Sequence, residues 1–171
     1  MSCQGRVRWR LYASFRMLEV VPLGGLGEFG MNMMALTCDD TTIVVDAGVM
    51  FPDPELLGVD RIIPDLSYLE HKHGVAALVL THGHEDHIGA VPHIARLVRG
   101  NIYATPLTLA LVEPKLVEHG IDDAVSLVPV RPRQRTEGGR HPLPATLDSG
   151  NDNNRRPLSL LRHRCHRSAS V

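Results

Sequence analysis

Short apolar runs rich in β-branched residues alternate with turn-forming stretches along the first part of the chain. Runs of about three to eight such residues between turn formers are typical of strands. Strands are predicted over four of them, at residues 18–22, 41–46, 75–80 and 102–104. The turn-prone pair Asp39-Asp40 lies between the first two and predicts a hairpin there. Residues 47–64 contain three Pro and are expected to form a long irregular loop.

Helical spacing of apolar residues appears in three further stretches. Helices are predicted at residues 65–73, 89–99 and 106–119. Asp65 is expected to cap the first helix, Thr105 and Pro106 begin the third, and Gly120 ends it. Pro114 should kink or divide that third helix, because proline cannot donate a backbone hydrogen bond. The alternation of strands and helices predicts an α/β fold built in layers.

The stretch after the strand at 75–80 is rich in groups that bind metals. Residues 81–87 read Thr-His-Gly-His-Glu-Asp-His, which places three histidines and a carboxylate within six positions. Imidazole together with carboxylate suits Zn²⁺. Gly83 and the two-residue spacing of His82 and His84 predict a loop, because those histidines would not share a helix face. One histidine in a loop is usually only solvated, but this number of donors in this order outweighs that interpretation.

The four donors form two pairs, His82 with His84 and Asp86 with His87, and each pair can begin a metal site. The helical four-residue spacing of histidines that is typical of zincins is absent. Two ions about 3.5–4 Å apart can clamp both oxygens of a phosphodiester or acyl displacement. The pattern therefore predicts a metal-dependent hydrolase with these four side chains as ligands.

Several motifs resemble one known family. His-Gly-His-Glu-Asp-His is similar to the HxHxDH signature of the metallo-β-lactamase superfamily. Pro-Leu-Gly-Gly-Leu-Gly-Glu at 22–28, Val-Asp-Ala-Gly-Val-Met-Phe-Pro at 45–52 and Leu-Gly-Val-Asp at 57–60 resemble ribonuclease J, a β-CASP ribonuclease of that superfamily. The resemblance covers about residues 18–130 and implies the N-terminal half of an αββα sandwich, a partial metallo-β-lactamase domain.

The resemblance also implies a function. It implies a zinc-dependent ribonuclease that hydrolyses RNA phosphodiester bonds from the 5′ end and internally. In the family pattern His82 and His84 hold one Zn²⁺, Asp86 and His87 hold a second, and Asp86 also acts catalytically by accepting a proton from the attacking water. Asp46 matches a family aspartate, and a carboxylate there would orient a ligating histidine. RNA is the implied partner, the location is cytoplasmic, and the full-length family member is expected to be a homo-oligomer.

Two other functions stay open. Each ion would have two recognisable protein ligands, whereas catalytic zinc generally has three and a water. A non-catalytic fragment that binds metal weakly is therefore the first alternative. The second alternative is another hydrolase of the superfamily, such as a thioesterase or a lactamase, although the residues at 49–52 and 57–60 argue against it.

A glycine-rich stretch permits a different chemistry. Gly-Leu-Gly-Glu-Phe-Gly at 25–30 matches GxGxxG after a strand, and Asp46 lies 21 residues beyond Gly25, as in a dinucleotide-binding unit. Residues 31–36 include good helix formers and favour that interpretation. The short distance to the next strand favours the hairpin instead. In that case these glycines let the backbone pass close to the metal site, as the family resemblance implies.

Charge divides the chain into three parts. The chain has a net charge of −1 and a pI near 6.8, which would normally argue against a nucleic-acid partner. Residues 1–16 contain four Arg and no acid, residues 131–171 contain nine Arg and three acids, and residues 17–130 contain five basic and 16 acidic residues. The middle part, which resembles the enzyme, therefore has a net charge of −11. Its affinity for RNA would need basic surface from elsewhere.

The two basic ends are predicted to differ from the middle part. Residues 1–16 are expected to be an unstructured extension. Residues 131–171 contain no Ile, Phe, Tyr or Trp, so we expect no packed strand and hypothesise a disordered tail or one translated out of its original frame. The β-CASP domain and its final metal-binding histidine are not recognisable. Donors that match the missing metal ligands by type alone are His141, Asp148, His163 and His166.

Cysteine usage and hydropathy add two expectations. Cys3, Cys38 and Cys165 are widely spaced and odd in number, which indicates neither a disulfide framework nor a CxxC metal site and fits a reducing compartment. No run of about 18 apolar residues occurs, so no membrane-spanning segment is predicted.

Overall fold

A seven-stranded mixed sheet is the main feature of the compact unit Met1–Pro129. The computed structural model describes the backbone of residues 9–13, 16–72, 74–131, 135–137 and 144–146, and the side chains of residues 18–72 and 74–131. The strands follow one another across the sheet in sequence order. They are β1 (Trp9–Ala13), β2 (Arg16–Gly24), β3 (Met33–Cys38), β4 (Thr41–Val45), β5 (Val75–Val79), β6 (Val98–Ala104) and β7 (Ser126–Pro129).

The first four strands pair antiparallel. β3 and β4 form the predicted hairpin, with Cys38 opposite Thr41 and Asp39 in the left-handed conformation at φ 52°. A two-residue turn needs a residue that tolerates positive φ, which Asp does better than most. Because residues 33–38 form a strand, the helix that a dinucleotide-binding unit requires is not formed there, and that alternative is wrong.

Strands β4 to β7 run parallel, so their carboxyl ends meet at one edge of the sheet. Helices connect them, as parallel strands require. The helices are α1 (Ser67–Glu70), α2 (Glu85–Ile88), α3 (Val91–Ile94) and α4 (Pro106–Glu118), with short 3-10 helices at Ala95–Leu97 and Asp122–Ala124. The segments that follow β4 and β5 are therefore neighbours at this edge, although about 35 residues separate them along the chain.

The core joins the sheet to the helices. Leu78 of β5 and Ile102 of β6 are fully buried against Ile94 of α3 and against Val112 and Leu116 of α4. Burying each such side chain stabilises the fold by about 1.5–3 kcal/mol. The β-branched runs and the helical spacing read from the sequence both come from this burial.

Three predicted elements have different bounds in the structure. The predicted extension at 1–16 contributes β1, because residues 9–13 pair with β2, so the expectation of an unstructured segment is wrong there. The helix predicted at 89–99 is limited to α3 and a 3-10 turn, and Val98 already begins β6. The helix predicted at 65–73 ends at Glu70.

Helix α4 begins where the sequence predicts, but the proline inside it does not divide it. Thr105 is its N-cap, and its hydroxyl accepts a hydrogen bond from the Thr108 amide at 3.4 Å, as predicted. The helix continues undivided past Pro114 to Glu118. Asp65, by contrast, is not the N-cap of α1, since Leu66 holds that position.

Residues Val130–Val171 form a separate compact unit. Two short strands, β8 (Arg135–Glu137) and β9 (Pro144–Thr146), pair antiparallel within it, so the prediction that this tail contains no strand is wrong at those positions. The four candidate donors of the tail lie outside the described residues; they are His141, Asp148, His163 and His166. Among the described residues, no helix has the length and apolar character needed to cross a bilayer.

Candidate metal centre

The candidate ligands lie at the carboxyl ends of β4 and β5. Asp46 directly follows β4, and the segment from Thr81 to His84 extends beyond β5. His84 is the N-cap residue of α2, so Asp86 and His87 lie on a helical turn. The prediction of a loop is therefore correct for the first two histidines and wrong for the second pair. The turn places Asp86 and His87 on adjacent positions of one short helix.

Backbone hydrogen bonds fasten this turn to the segment after β4. The Ala47 amide donates to the His87 carbonyl at 2.7 Å, and the Val49 amide donates to the Glu85 carbonyl at 3.2 Å. These two segments approach so closely at Gly48 that a Cβ there would lie 1.6 Å from the Asp86 carbonyl oxygen. Only glycine fits this contact, which explains why the Asp-Ala-Gly sequence follows β4.

Asp46 connects the two segments through its side chain. One carboxylate oxygen accepts from the Thr81 amide at 2.8 Å, and the other lies 2.8 Å from His87 Nδ1. Asp46 is buried, at 6% exposure, and has φ 59°. A non-glycine residue in this conformation is strained, and such strain is kept where surrounding contacts require it. Here the contacts are those that orient His87.

The same network indicates the tautomers of two histidines. His87 Nδ1 donates to the Asp46 carboxylate, which leaves Nε2 with its lone pair. The Thr81 hydroxyl lies 2.8 Å from Asp46 Oδ2 and 2.9 Å from His82 Nδ1. Because the hydroxyl donates its one hydrogen to the carboxylate, His82 Nδ1 is the donor to Thr81, and His82 Nε2 also keeps its lone pair. Both histidines thus present the atom that a metal ligand needs.

The three imidazole rings lie side by side. The ring centroid of His82 is 4.6 Å from that of His84 and 4.0 Å from that of His87. Asp86 Oδ2 lies 3.5 Å from His87 Nε2. The four predicted ligands are thus brought into one cluster.

The donor chemistry of this cluster fits a zinc site, because imidazole and carboxylate are zinc ligands and His87 has the carboxylate partner that ligating histidines usually have. The set is incomplete, however. Among the residues that the structure describes, no three His, Cys, Asp or Glu side chains are arranged so that they could hold a metal ion.

Two histidines of the cluster have shifted pKa values. Burial lowers the pKa of His87, but the hydrogen bond and charge of Asp46, with the charge of Asp86, outweigh burial and raise it above its ordinary value. Burial and the neighbouring His87 lower the pKa of His82. Asp46 and Asp86 thus outweigh burial at His87 but not at His82.

Asn32 belongs to the site, although the sequence analysis did not identify it. Its Nδ2 lies 3.1 Å from both Asp86 Oδ2 and the Asp86 carbonyl oxygen, and 3.2 Å from His87 Nε2. Its backbone amide also donates to the Asp86 carbonyl at 3.0 Å. These partners lie 54 and 55 positions away in the sequence. Its place beside the glycine-rich stretch was the only available signal.

Other predicted residues lie outside the cluster. Glu85 forms an ion pair with Lys115 at 2.5 Å. His71 and His93 are exposed. His73 lies outside the described residues.

Comparison with known proteins identifies the family. The profile of the beta-lactamase superfamily domain matches residues 41–165, from the start of β4 to beyond the ligand segment. The chain belongs to the beta-lactamase superfamily. Among curated proteins it is 50% identical over 103 residues to ribonuclease J 1 of Streptococcus pyogenes serotype M3. It is 48% identical over 105 residues to ribonuclease J of Helicobacter pylori.

These relatives are much longer than the match. It covers 60% of this chain and 18% of the streptococcal protein, and 61% of this chain and 15% of the Helicobacter protein. Among solved structures, Zn²⁺-bound PqqB from Methylobacterium extorquens matches with a TM-score of 0.49 and 21% identity, over 70% of this chain and 42% of that one. The family and the resemblance to ribonuclease J, both predicted from the sequence, are confirmed.

Proposed function

We propose that this beta-lactamase superfamily chain carries metal-binding residues of a zinc-dependent ribonuclease that hydrolyses RNA phosphodiester bonds. The observation that carries the proposal is the cluster of His82, His84, Asp86 and His87 beyond the carboxyl end of β5. The similarity to curated proteins named ribonuclease J supports RNA as the substrate class.

Each residue of the cluster has a proposed role. His82 and His84 would hold one Zn²⁺, and Asp86 and His87 would hold the second. Bound zinc supplies a Lewis acid and lowers the pKa of a coordinated water to near neutrality. Asp46 keeps Nδ1 of His87 protonated, so that Nε2 keeps the lone pair that a metal ligand needs.

Asp86 is the proposed catalytic residue of the chain. Its side chain is 36% exposed, so it can meet a water molecule and an RNA phosphate from the solvent side. It accepts the proton of the attacking water, as a positioned carboxylate does in general base catalysis. The amide of Asn32 holds it on the side facing His87.

The test is a zinc assay combined with digestion of 5′-monophosphorylated RNA, for wild type, His84→Ala and His93→Ala. His93 is an exposed histidine outside the cluster and serves as the matched control. We expect stoichiometric zinc and RNA cleavage in wild type and in His93→Ala, and loss of both in His84→Ala. Zinc-independent cleavage, or zinc and cleavage unchanged in His84→Ala, would contradict the proposal.

A non-catalytic metal-binding fragment is the second candidate. Two observations favour it: no group of three ligands is formed among the described residues, and the match covers less than a fifth of the ribonuclease J relatives. Catalytic zinc generally needs three protein ligands. Substoichiometric zinc together with intact RNA is the result that selects this candidate.

A further inference from the structure

We propose that Lys115 is a positioning residue of the metal centre, which fixes the direction of α2 through its ion pair with Glu85. Helix α2 carries Asp86 and His87. The inference rests on the proposed function, which makes those two residues metal ligands. It assigns a role to α4, which contributes none of the predicted ligands.

The ion pair crosses from one helix to another. Lys115 Nζ lies 2.5 Å from Glu85 Oε1, and the two residues are 30 positions apart. The Lys115 side chain is 18% exposed and that of Glu85 is 41% exposed. The second oxygen of Glu85, Oε2, is buried and has no hydrogen-bond partner among the described residues. The Lys115 ammonium is therefore the group that balances this half-buried carboxylate.

A second contact joins the same face of α4 to the ligand segment. A Cβ at Gly83 would lie 2.5 Å from Leu111 Cδ1 and 3.9 Å from Thr108 Cα. Thr108, Leu111 and Lys115 are three and four positions apart, so they share one helix face. Helix α4 thus contacts the ligand segment on both sides of His84, at Gly83 and at Glu85.

Glu85 is placed so that its ion pair with Lys115 can act on the whole of α2. Glu85 begins α2, and its carbonyl accepts from the Gly89 amide at 2.8 Å and from the Val49 amide at 3.2 Å, so the first residue of the turn is tied to the segment after β4. Removing the Lys115 charge leaves Glu85 half-buried without this cation. Oε2 of Glu85 is buried, so without the cation the carboxylate gains by moving toward water. Because Glu85 is the first residue of α2, such a movement would shift the start of the turn that carries Asp86 and His87.

The sign of the effect separates positioning from simple electrostatics. Lys115 is a cation close to a site for cations, so it repels Zn²⁺. If Lys115 acted only through its charge, replacing it with a neutral residue would strengthen zinc binding. If Lys115 positions α2, the same replacement should weaken zinc binding, because displaced ligands bind the ion less well.

The test measures zinc affinity of the full 171-residue chain by competition with a chelator. The variants are Lys115→Met, Lys115→Arg and, as matched control, Lys72→Met, which removes the lysine of the Lys72–Glu19 pair at 3.3 Å. We expect Lys115→Met to weaken zinc binding about 10–100-fold, the usual effect of losing a group that orients ligands. Lys115→Arg keeps the cation and should bind close to wild type, as should Lys72→Met. Unchanged or tighter binding by Lys115→Met would overturn the inference.

A second readout works without metal. Nitrogen NMR signals of the His82 and His87 rings in the zinc-free chain should shift in Lys115→Met and remain in place in Lys72→Met. If wild type takes up no zinc, the proposed function fails while the ring signals still test the positioning role. Ring signals that are the same in Lys115→Met and wild type would then reject it.

Discussion

Asp46 is a buried carboxylate that holds together residues from two strand ends. It accepts hydrogen bonds from Thr81 and His87 while its own backbone is in the left-handed region. A hydrogen bond between a carboxylate and an imidazole fixes both the tautomer and the direction of the ring. The side chain of Asp46 therefore sets which nitrogen of His87 faces the cluster.

Replacing Asp46 with Asn should weaken zinc binding about 10–100-fold. The amide is nearly the same size, but it lacks the charge that stabilises the Nδ1–H form of His87. Asp65→Asn is the matched control, because Asp65 also accepts from a backbone amide and a hydroxyl, both of Ser67, at 2.9 Å. Chelator competition measures both variants, and equal affinities for the two would contradict this role of Asp46.

Asn32 gives a second prediction for a single side chain. Asn32→Ala removes the amide that lies within hydrogen-bond distance of Asp86 Oδ2 and His87 Nε2. We expect zinc affinity to fall about tenfold or more, because the two ligands lose their common support. Asn101→Ala removes an amide that donates to the Tyr103 hydroxyl and should leave zinc affinity unchanged. A loss of stability without a loss of zinc affinity in Asn32→Ala would show that Asn32 is only structural.

At the scale of elements, the site depends on how closely the segment after β4 approaches α2. Gly48→Ala would place a Cβ 1.6 Å from the Asp86 carbonyl oxygen. Because the neighbour is backbone, relief requires moving the turn, and we expect a loss of about 3 kcal/mol or more in the free energy of unfolding. Gly58→Ala is the control, since its φ of 81° is unfavourable but no atom lies within 4 Å. It should cost about 1–2 kcal/mol, and equal losses in urea denaturation would contradict the packing argument.

The contact between His93 of α3 and His119 at the end of α4 predicts that the stability of the fold depends on pH. Burial, His119 and Arg61 lower the pKa of His93, and the two imidazole centroids are 5.8 Å apart. A lowered pKa means that the folded chain disfavours the protonated form. The stability that neutral His93 contributes is therefore present above the ordinary pKa of 6.5. It is lost as the pH falls through the pKa that His93 has in the folded chain.

We expect the free energy of unfolding of wild type to fall more than that of His93→Gln between about pH 7 and about pH 5. Urea denaturation at each pH measures the difference. His71→Gln, a change at another exposed histidine, should follow wild type. If His93→Gln shows the same pH dependence as wild type, the lowered pKa does not contribute to stability.

The sequence predicts the central strands well because their signals are local. Residues 41–46 and 75–80 are apolar runs bounded by turns, and both are strands next to the site. The helix predicted at 89–99 is too long because Val98, which fits its spacing, is buried as the first residue of β6. Strand β1 was missed since it depends on pairing with β2, which an isolated segment does not show.

Of the residues at the site, the sequence predicted the four donors in one segment and, through the family resemblance, Asp46. The four donors between His82 and His87 lie within six positions of the sequence, and their order matches a known metal-binding motif. Asn32 and Lys115 reach this segment from 54 and 30 positions away. Neither belongs to a motif of metal ligands, so their roles follow only from the fold.

At the scale of the whole molecule, the net charge does not favour RNA binding, although the curated relatives are named ribonucleases. Residues 17–130 have a net charge of −11, whereas a nucleic-acid-binding surface is usually basic. The site itself can bind phosphate only with cations present, because its carboxylates would repel it. Metal uptake is therefore the step on which the account of an RNA hydrolase depends.

The most direct measurement is equilibrium dialysis of the 171-residue chain against Zn²⁺, for wild type and for a variant with four substitutions. The variant replaces His82, His84 and His87 with Gln and Asp86 with Asn, which keeps side-chain size. We predict that wild type retains zinc and that the variant retains none, while circular dichroism shows both folded. Equal zinc retention by the two chains would contradict the assignment of the metal centre.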